Sequence, residues 1–277
     1  MKRFSLMLLW ALLPTFLFTQ AGAPSPLRPD WAPFYHGVAS GDPLSDRVII
    51  WTRVTPEAPT GEPISVQWRV ATDPALANVV KSGRIETGPE RDYTVKVDVG
   101  GLEAGTSYYY GFTALERHSL TGRTATTPTG ANTAHLRFGV VSCGNFQIGY
   151  YNTLRALARR SDLDGIIHLG DYIYEQKPAQ EGGLAQERPV APDKKLITLE
   201  DYRLRYASYR LDTNLIRAHQ QHPFLVVWDD HEFGDNAYQG GANTHNPETD
   251  GDWKDREAAA RQAYFEWLPI RETGPER

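Results

Sequence analysis

The sequence predicts two domains: an antiparallel β-sandwich of immunoglobulin or fibronectin type over residues 34–128, then an α/β layer over 136–277. Three observations predict this. Residues 47–115 hold four short runs rich in β-branched and aromatic residues, each set off by turn formers. From residue 136 onward such runs alternate with helical patterns. Between the two lies "TPTGANTA" (127–134), a linker composition.

The elements follow in order. "MKRFSLMLLWALLPTFLFTQAGA" (1–23) has a basic start at Lys2 and Arg3, an apolar core from Leu6 to Phe18, and small residues after it. That is the pattern of a secretory signal peptide, with cleavage after Ala21 or Ala23, and it predicts a secreted or periplasmic protein. No later stretch is long and apolar enough to span a membrane. "RVIIWTRV" (47–54), "ISVQWRVAT" (64–72), "DYTVKVDV" (92–99) and "SYYYGFTAL" (107–115) are the sandwich strands. Beyond the linker, strands are predicted at 136–143, 164–172 and 223–230, the last carrying a buried Val226–Trp228 run. Helices are predicted at 150–160, 199–212, 215–221 and 252–268. Residues 176–198 and 233–251 read as long loops, a feature more often functional than idle in a compact domain.

The net charge of −5 argues against general nucleic-acid binding, which wants a basic face. It does not argue against a phosphate substrate, because a bound metal would dominate the local field. The single cysteine, Cys143, cannot form an internal disulfide. It reads either as a small buried hydrophobe or as a thiolate metal ligand.

The three α/β strands end in chemistry. The first ends in Ser142-Cys143-Gly144-Asn145, the second in Gly170-Asp171-Tyr172-Ile173-Tyr174-Glu175, the third in Asp229-Asp230-His231-Glu232. Ligands of open α/β sheets gather beyond the carboxyl ends of the strands. Several carboxylates held close together there repel one another, and a cation removes that repulsion. Thiolate and phenolate donors suit ferric iron; carboxylate and amide oxygens suit calcium or magnesium. An asymmetric metal pair bridged by a carboxylate such as Asp171 is a clamp for phosphoryl transfer.

The motifs "SCGNF", "HLGDYIYE" and "WDDHE", preceded by "FYHGVASGDPLSDRVIIWTRV", resemble the PhoD-type alkaline phosphatases and phosphodiesterases, a branch of the calcineurin-like metallophosphoesterases. The resemblance spans roughly 34–270 and implies hydrolysis of small phosphate monoesters or diesters by a metal-activated water at an iron (Fe3+) and calcium (Ca2+) centre. By the same resemblance, Cys143 and Tyr174 would ligate iron, Asp171 would bridge the metals and Asp230 would bind on the calcium side. His231 would contact phosphate or protonate the leaving oxygen, with Asp229 and Glu232 as supporting or capping residues. His168 reads as a packed core residue.

The family closes its site with later His and Asp motifs, which this chain does not contain. The α/β metallophosphoesterase sandwich is therefore expected to be incomplete, and the chain alone weakly active or inactive. Two other readings are a non-catalytic binding module resting on the sandwich, and a metal-dependent nuclease or phosphotriesterase. Converged thiol, phenol and imidazole argue against the first; comparing monoester, diester and triester hydrolysis separates the second.

Overall fold

The computed structural model describes residues 27–58, 61–130 and 135–272. The predicted signal segment, 1–23, lies outside them. None of the helices among the described residues is long and apolar enough to cross a membrane.

Eight strands precede the linker: β1 (Val38–Gly41), β2 (Arg47–Arg53), β3 (Ile64–Ala71), β4 (Val79–Thr87), β5 (Thr94–Gly100), β6 (Ser107–Ala114), β7 (Arg117–His118) and β8 (Gly122–Ala125). Strands β1, β4, β7 and β8 are additional to the four expected. For β4 the reason is physical: only Thr87 of its nine residues is buried, so no apolar face marks it. After the linker come β9 (Phe138–Val141), α1 (Asn152–Ala158), β10 (Gly165–His168), α2 (Leu199–Tyr209), α3 (Thr213–Gln221), β11 (Pro223–Val226), α4 (Pro247–Asp250) and α5 (Trp253–Trp267). Side-chain caps start the longer helices: Thr198 with Asp201 in a capping box for α2, Asp212 for α3 and Asp252 for α5. The short α4 falls inside the second predicted loop.

The strands form two sheets. One has six strands in the order β5-β2-β1-β11-β10-β9; the other runs β4-β3-β6-β7, with β8 also paired to β6. The first sheet joins both halves of the chain. Strand β1 pairs in parallel with β11, Ser40 opposite Pro223 and Gly41 opposite Phe224. A Cβ at Gly41 would lie 2.5 Å from the Phe224 carbonyl oxygen and 2.4 Å from that of Pro269, so only glycine fits this seam.

Alternation along β2 serves two cores. Val48 and Ile50 face the sandwich, packing with Val66, Val70 and Tyr110. Trp51 faces the helices, with its ring centroid 5.8 Å from that of Trp267. The helical core joins Ile166 and Phe224 of the sheet to Tyr202, Tyr206 and Ala263 of α2 and α5. Each fully buried large side chain contributes about 1.5–3 kcal/mol of transfer free energy.

One expectation is corrected here. The β9–β11 part of the sheet is not buried on both faces, and Val226–Trp228 is not a buried run. Val140 is 60% exposed, Leu169 50% and Val227 55%, while Trp228 is 36% exposed. The described helices pack into one core on the opposite face, which leaves Val140, Leu169 and Val227 uncovered, while Trp228 packs edge-on against Tyr264 and Phe265 of α5. The strands are also shorter than expected: β10 ends at His168 and β11 at Val226. The acidic motifs therefore stand on loops just past the ladder.

Candidate metal centre

The loops leave the sheet through unusual backbone. Gly170 has φ +97°, and a Cβ there would sit 2.5 Å from the Asp229 backbone nitrogen. Glycine is needed on both counts. Asp171 (φ +53°) and Cys143 (φ +56°) are also left-handed, at a conformational cost of about 1 kcal/mol or more each. The Cys143 amide donates to the Gly170 carbonyl (3.2 Å) and the Gly144 amide to that of Asp171 (3.1 Å), tying the first two strand ends together.

Glu232 ties the second to the third. Its carboxylate is fully buried and accepts the amides of Asp171 (3.0 Å), Asp229 (2.7 Å) and Tyr172. Burial pushes its carboxyl up to about 7 even against those three donors. Asp229 caps the single 3-10 turn Asp230–Glu232, accepting the Asp230 amide at 2.9 Å. These contacts fix the backbone from which Asp171, Asp230 and His231 project.

One ligand atom each from Asp171, Asp230 and His231 lies within 4.8 Å of the other two. The His231 amide donates to Asp171 Oδ1 (3.4 Å), and the Tyr174 hydroxyl donates to Asp171 Oδ2 (3.1 Å). The Tyr174 ring packs 4.2 Å from the His231 ring, centroid to centroid. Cys143 is exposed and lies close enough to Tyr174 to interact with its hydroxyl. Burial, then the Asp171 charge and Cys143, push the Tyr174 phenol well above its ordinary range. All five residues picked from the sequence thus meet at one edge. The donors are carboxylate, imidazole, phenol and thiol, a set that suits a high-charge cation beside a softer or larger one.

The sequence reading assigned no role to Glu175, although it stands in the motif that carries Asp171. Glu175 is fully buried, and its Oε2 accepts His231 Nδ1 at 2.7 Å. Its Oε1 accepts the Thr244 hydroxyl (2.7 Å) and the Asp235 amide (2.9 Å). Burial opposes ionisation of Glu175, but His231, Thr244 and Asp235 outweigh it and hold the carboxyl below its usual range. Burial likewise opposes the charge on His231, yet Glu175, Asp171 and Asp230 raise the imidazole to about 9. With Nδ1 committed to Glu175, Nε2 is the nitrogen left to face a ligand.

Loop 176–198 is stapled beneath the centre by Arg205 of α2. Its guanidinium donates to the carbonyls of Tyr174, Gln176 (3.2 Å), Ala191 (3.0 Å), Pro192 (3.0 Å) and Lys194 (3.3 Å). Lys195 reaches the second loop, donating to the Thr244 carbonyl (2.9 Å) and pairing with Asp250.

Parallel strands β9, β10 and β11 that gather carboxylates, a phenol, a thiol and an imidazole past their carboxyl ends define an α/β protein with a candidate metal centre. The chain belongs to the PhoD-like phosphatase family: residues 138–277 match the PhoD-like phosphatase model and residues 20–128 match the model of that family's N-terminal domain. It is 39% identical over 245 residues to alkaline phosphatase D of Bacillus subtilis (strain 168), covering 86% of this chain and 42% of that protein. A solved structure described as PhoD superposes with a TM-score of 0.79 at 38% identity, covering 88% of this chain and 48% of that one. The chain thus spans less than half the length of the relatives it matches.

Proposed function

We propose that this chain carries the first part of a metal-dependent phosphoesterase centre acting on small phosphate monoesters or diesters. The observation that carries the reading is the convergence of Asp171, Asp230 and His231 within 4.8 Å, with Tyr174 hydrogen-bonded to Asp171. In this reading Cys143, Asp171 and Tyr174 would hold ferric iron, and Asp230 with Asp171 would hold calcium. When bound, such a pair supplies Lewis-acid stabilisation of charge at a phosphoryl group. His231, oriented by Glu175, binds a phosphate oxygen or passes a proton to the departing alkoxide through Nε2. To serve as a phenolate ligand Tyr174 would give up to solvent the proton it now donates to Asp171 Oδ2. Because the chain spans less than half of its relatives, the activity is assigned to a protein that contains this chain.

Family membership and the donor set support the reading; a nuclease or phosphotriesterase would use the same donors and differ in substrate. We further propose a division into a 34–128 sandwich and a 136–277 catalytic part, with export directed by residues 1–23. An immunoglobulin or fibronectin kinship of the sandwich is supported by the Tyr108 hydroxyl, which accepts the Glu103 amide at 2.9 Å in the manner of a tyrosine corner.

Metal content per chain tests the centre, measured on protein loaded with Fe3+ and Ca2+ and compared with Cys143→Ala and Asp230→Asn. Iron should be retained by the parent and lost from Cys143→Ala, and Asp230→Asn should lower calcium selectively. Equal iron in the parent and Cys143→Ala would remove Cys143 from the ligand set. A protein holding all its residues and metals that releases phosphate from no ester would sink the functional reading.

A further inference from the structure

Asp171 and Tyr172 are neighbours that send their side chains to different places. Asp171 carries its carboxylate into the triad, whereas the Tyr172 ring is 2% exposed and packs into the helical core. The chain is left-handed at Asp171 (φ +53°), a conformation that persists only where surrounding contacts over-determine it. Glu232 supplies one set of contacts through the backbone, by accepting both amides. The Tyr172 side chain supplies a second set, from another part of the molecule.

That second set is a buried polar chain. The Tyr172 hydroxyl lies 2.8 Å from His219 Nε2 on α3, and it accepts the Arg210 guanidinium, at the end of α2, at 3.4 Å. The His219 ring is itself stacked on Phe224 of β11, with centroids 3.8 Å apart. Arg210 is fully buried, and among the described residues its partners are neutral: the Tyr172 hydroxyl, the His36 carbonyl (3.2 Å) and the face of Trp51, 4.4 Å from the guanidinium carbon. Burying a cation without a counter-charge is costly. What the guanidinium contributes in return is reach. One planar fork spans from the N-terminal part of the chain, at His36 and Trp51, to the residue beside Asp171.

We infer that Tyr172 is a positioning residue of the candidate metal centre, anchored by His219 and Arg210, and that through Arg210 the N-terminal part of the chain sets the Asp171 turn. Tyr172 offers no atom to the triad; it acts through the backbone it shares with Asp171. The consequence for metal binding rests on the phosphoesterase reading, whereas the anchoring of the turn does not. The sandwich then has a duty at the centre besides closing its own core.

Amide exchange on the metal-free 277-residue chain tests the anchor. Tyr172→Phe keeps the ring and removes the hydroxyl; Arg210→Lys keeps the charge and removes the fork. Both should speed exchange at Asp171 and Tyr172 by about tenfold or more. Arg210→Lys should speed it at Gly37 as well, next to the His36 carbonyl. Val66→Ala, a core deletion inside the sandwich, is the control: it lowers the unfolding midpoint without singling out Asp171 and Tyr172. Exchange at these two amides that is unchanged in both variants, or that rises no more than in β3 and β6, overturns the inference. Titration with Fe3+ and Ca2+ tests the consequence, and the parent should hold metal about tenfold or more tightly than either variant. Equal metal affinity in parent and variants overturns the positioning role. A parent that holds no metal, while Tyr172→Phe still frees the turn, counts against the phosphoesterase reading alone.

Discussion

At the scale of single residues, the Glu175–His231 pair decides how the centre works. Position and tautomer of the imidazole depend on one buried carboxylate 2.7 Å away. Glu175→Gln keeps the shape and removes the charge. We expect it to lower phosphate-ester turnover by roughly 10–100-fold, read as kcat with KM little changed. Turnover equal to the parent would mean that backbone alone positions His231. His168 makes a different prediction. Burial pushes its imidazole down to about 4, against ~6.5 in an unfolded chain. As pH falls, the unfolded state takes up the proton first. Stability is therefore untouched by this group above pH ~6.5 and is lost between about 6.5 and 4, by up to about 3 kcal/mol. Burial lowers His36 and His219 as well, which adds loss of the same sign. Urea unfolding at pH 7 and pH 5 should show the drop, and His168→Asn should reduce the pH slope by about one proton.

At the scale of elements, the loop that follows Asp171 is held by one helix. Arg205 spends its donors on five carbonyls of the segment 174–194. Arg205→Met leaves those carbonyls to find water and should destabilise the fold by about 2–4 kcal/mol. The local signature should be faster amide exchange over residues 174–195, with the sandwich strands β3 and β6 unchanged. A uniform rise across all strands would show that the loop is not a separate unit. This staple was not legible in the sequence. An arginine among "LEDYRLRYASYR" reads as a solvated helix face, because nothing in a sequence announces a cluster of backbone carbonyls beneath it.

At the scale of the whole molecule, the sandwich is built into the sheet that carries the candidate metal centre. The Trp51 indole donates to the Glu266 carbonyl (2.7 Å), and Lys96 donates to the carbonyls of Phe265 (2.6 Å) and Ile270 (3.1 Å), closing the end of α5. Arg271 reaches back to Asp98 at 2.8 Å. Cutting at the linker should therefore leave residues 136–277 without a cooperative fold, since β11 loses its β1 partner and Trp267 loses Trp51. A sharp thermal transition in the isolated 136–277 segment would contradict this. Linker composition alone suggests the opposite, two parts that separate freely.

The sequence by itself determined the local pieces: β-rich runs, then alternating strands and helices, and three motifs at the ends of strands that gather in space. Periodicity and turn chemistry act over a few residues, so these were legible, as were Cys143, Asp171, Tyr174, Asp230 and His231 as a group. Tertiary structure alone decided the parallel pairing of β1 with β11, the burial of Glu175 against His231 and the exposure of Val227 and Trp228. Each of these depends on contacts between residues tens to nearly two hundred positions apart, or on which face a helix chooses to cover. A short run such as "VVWDD" reads the same whether or not another layer lies over it.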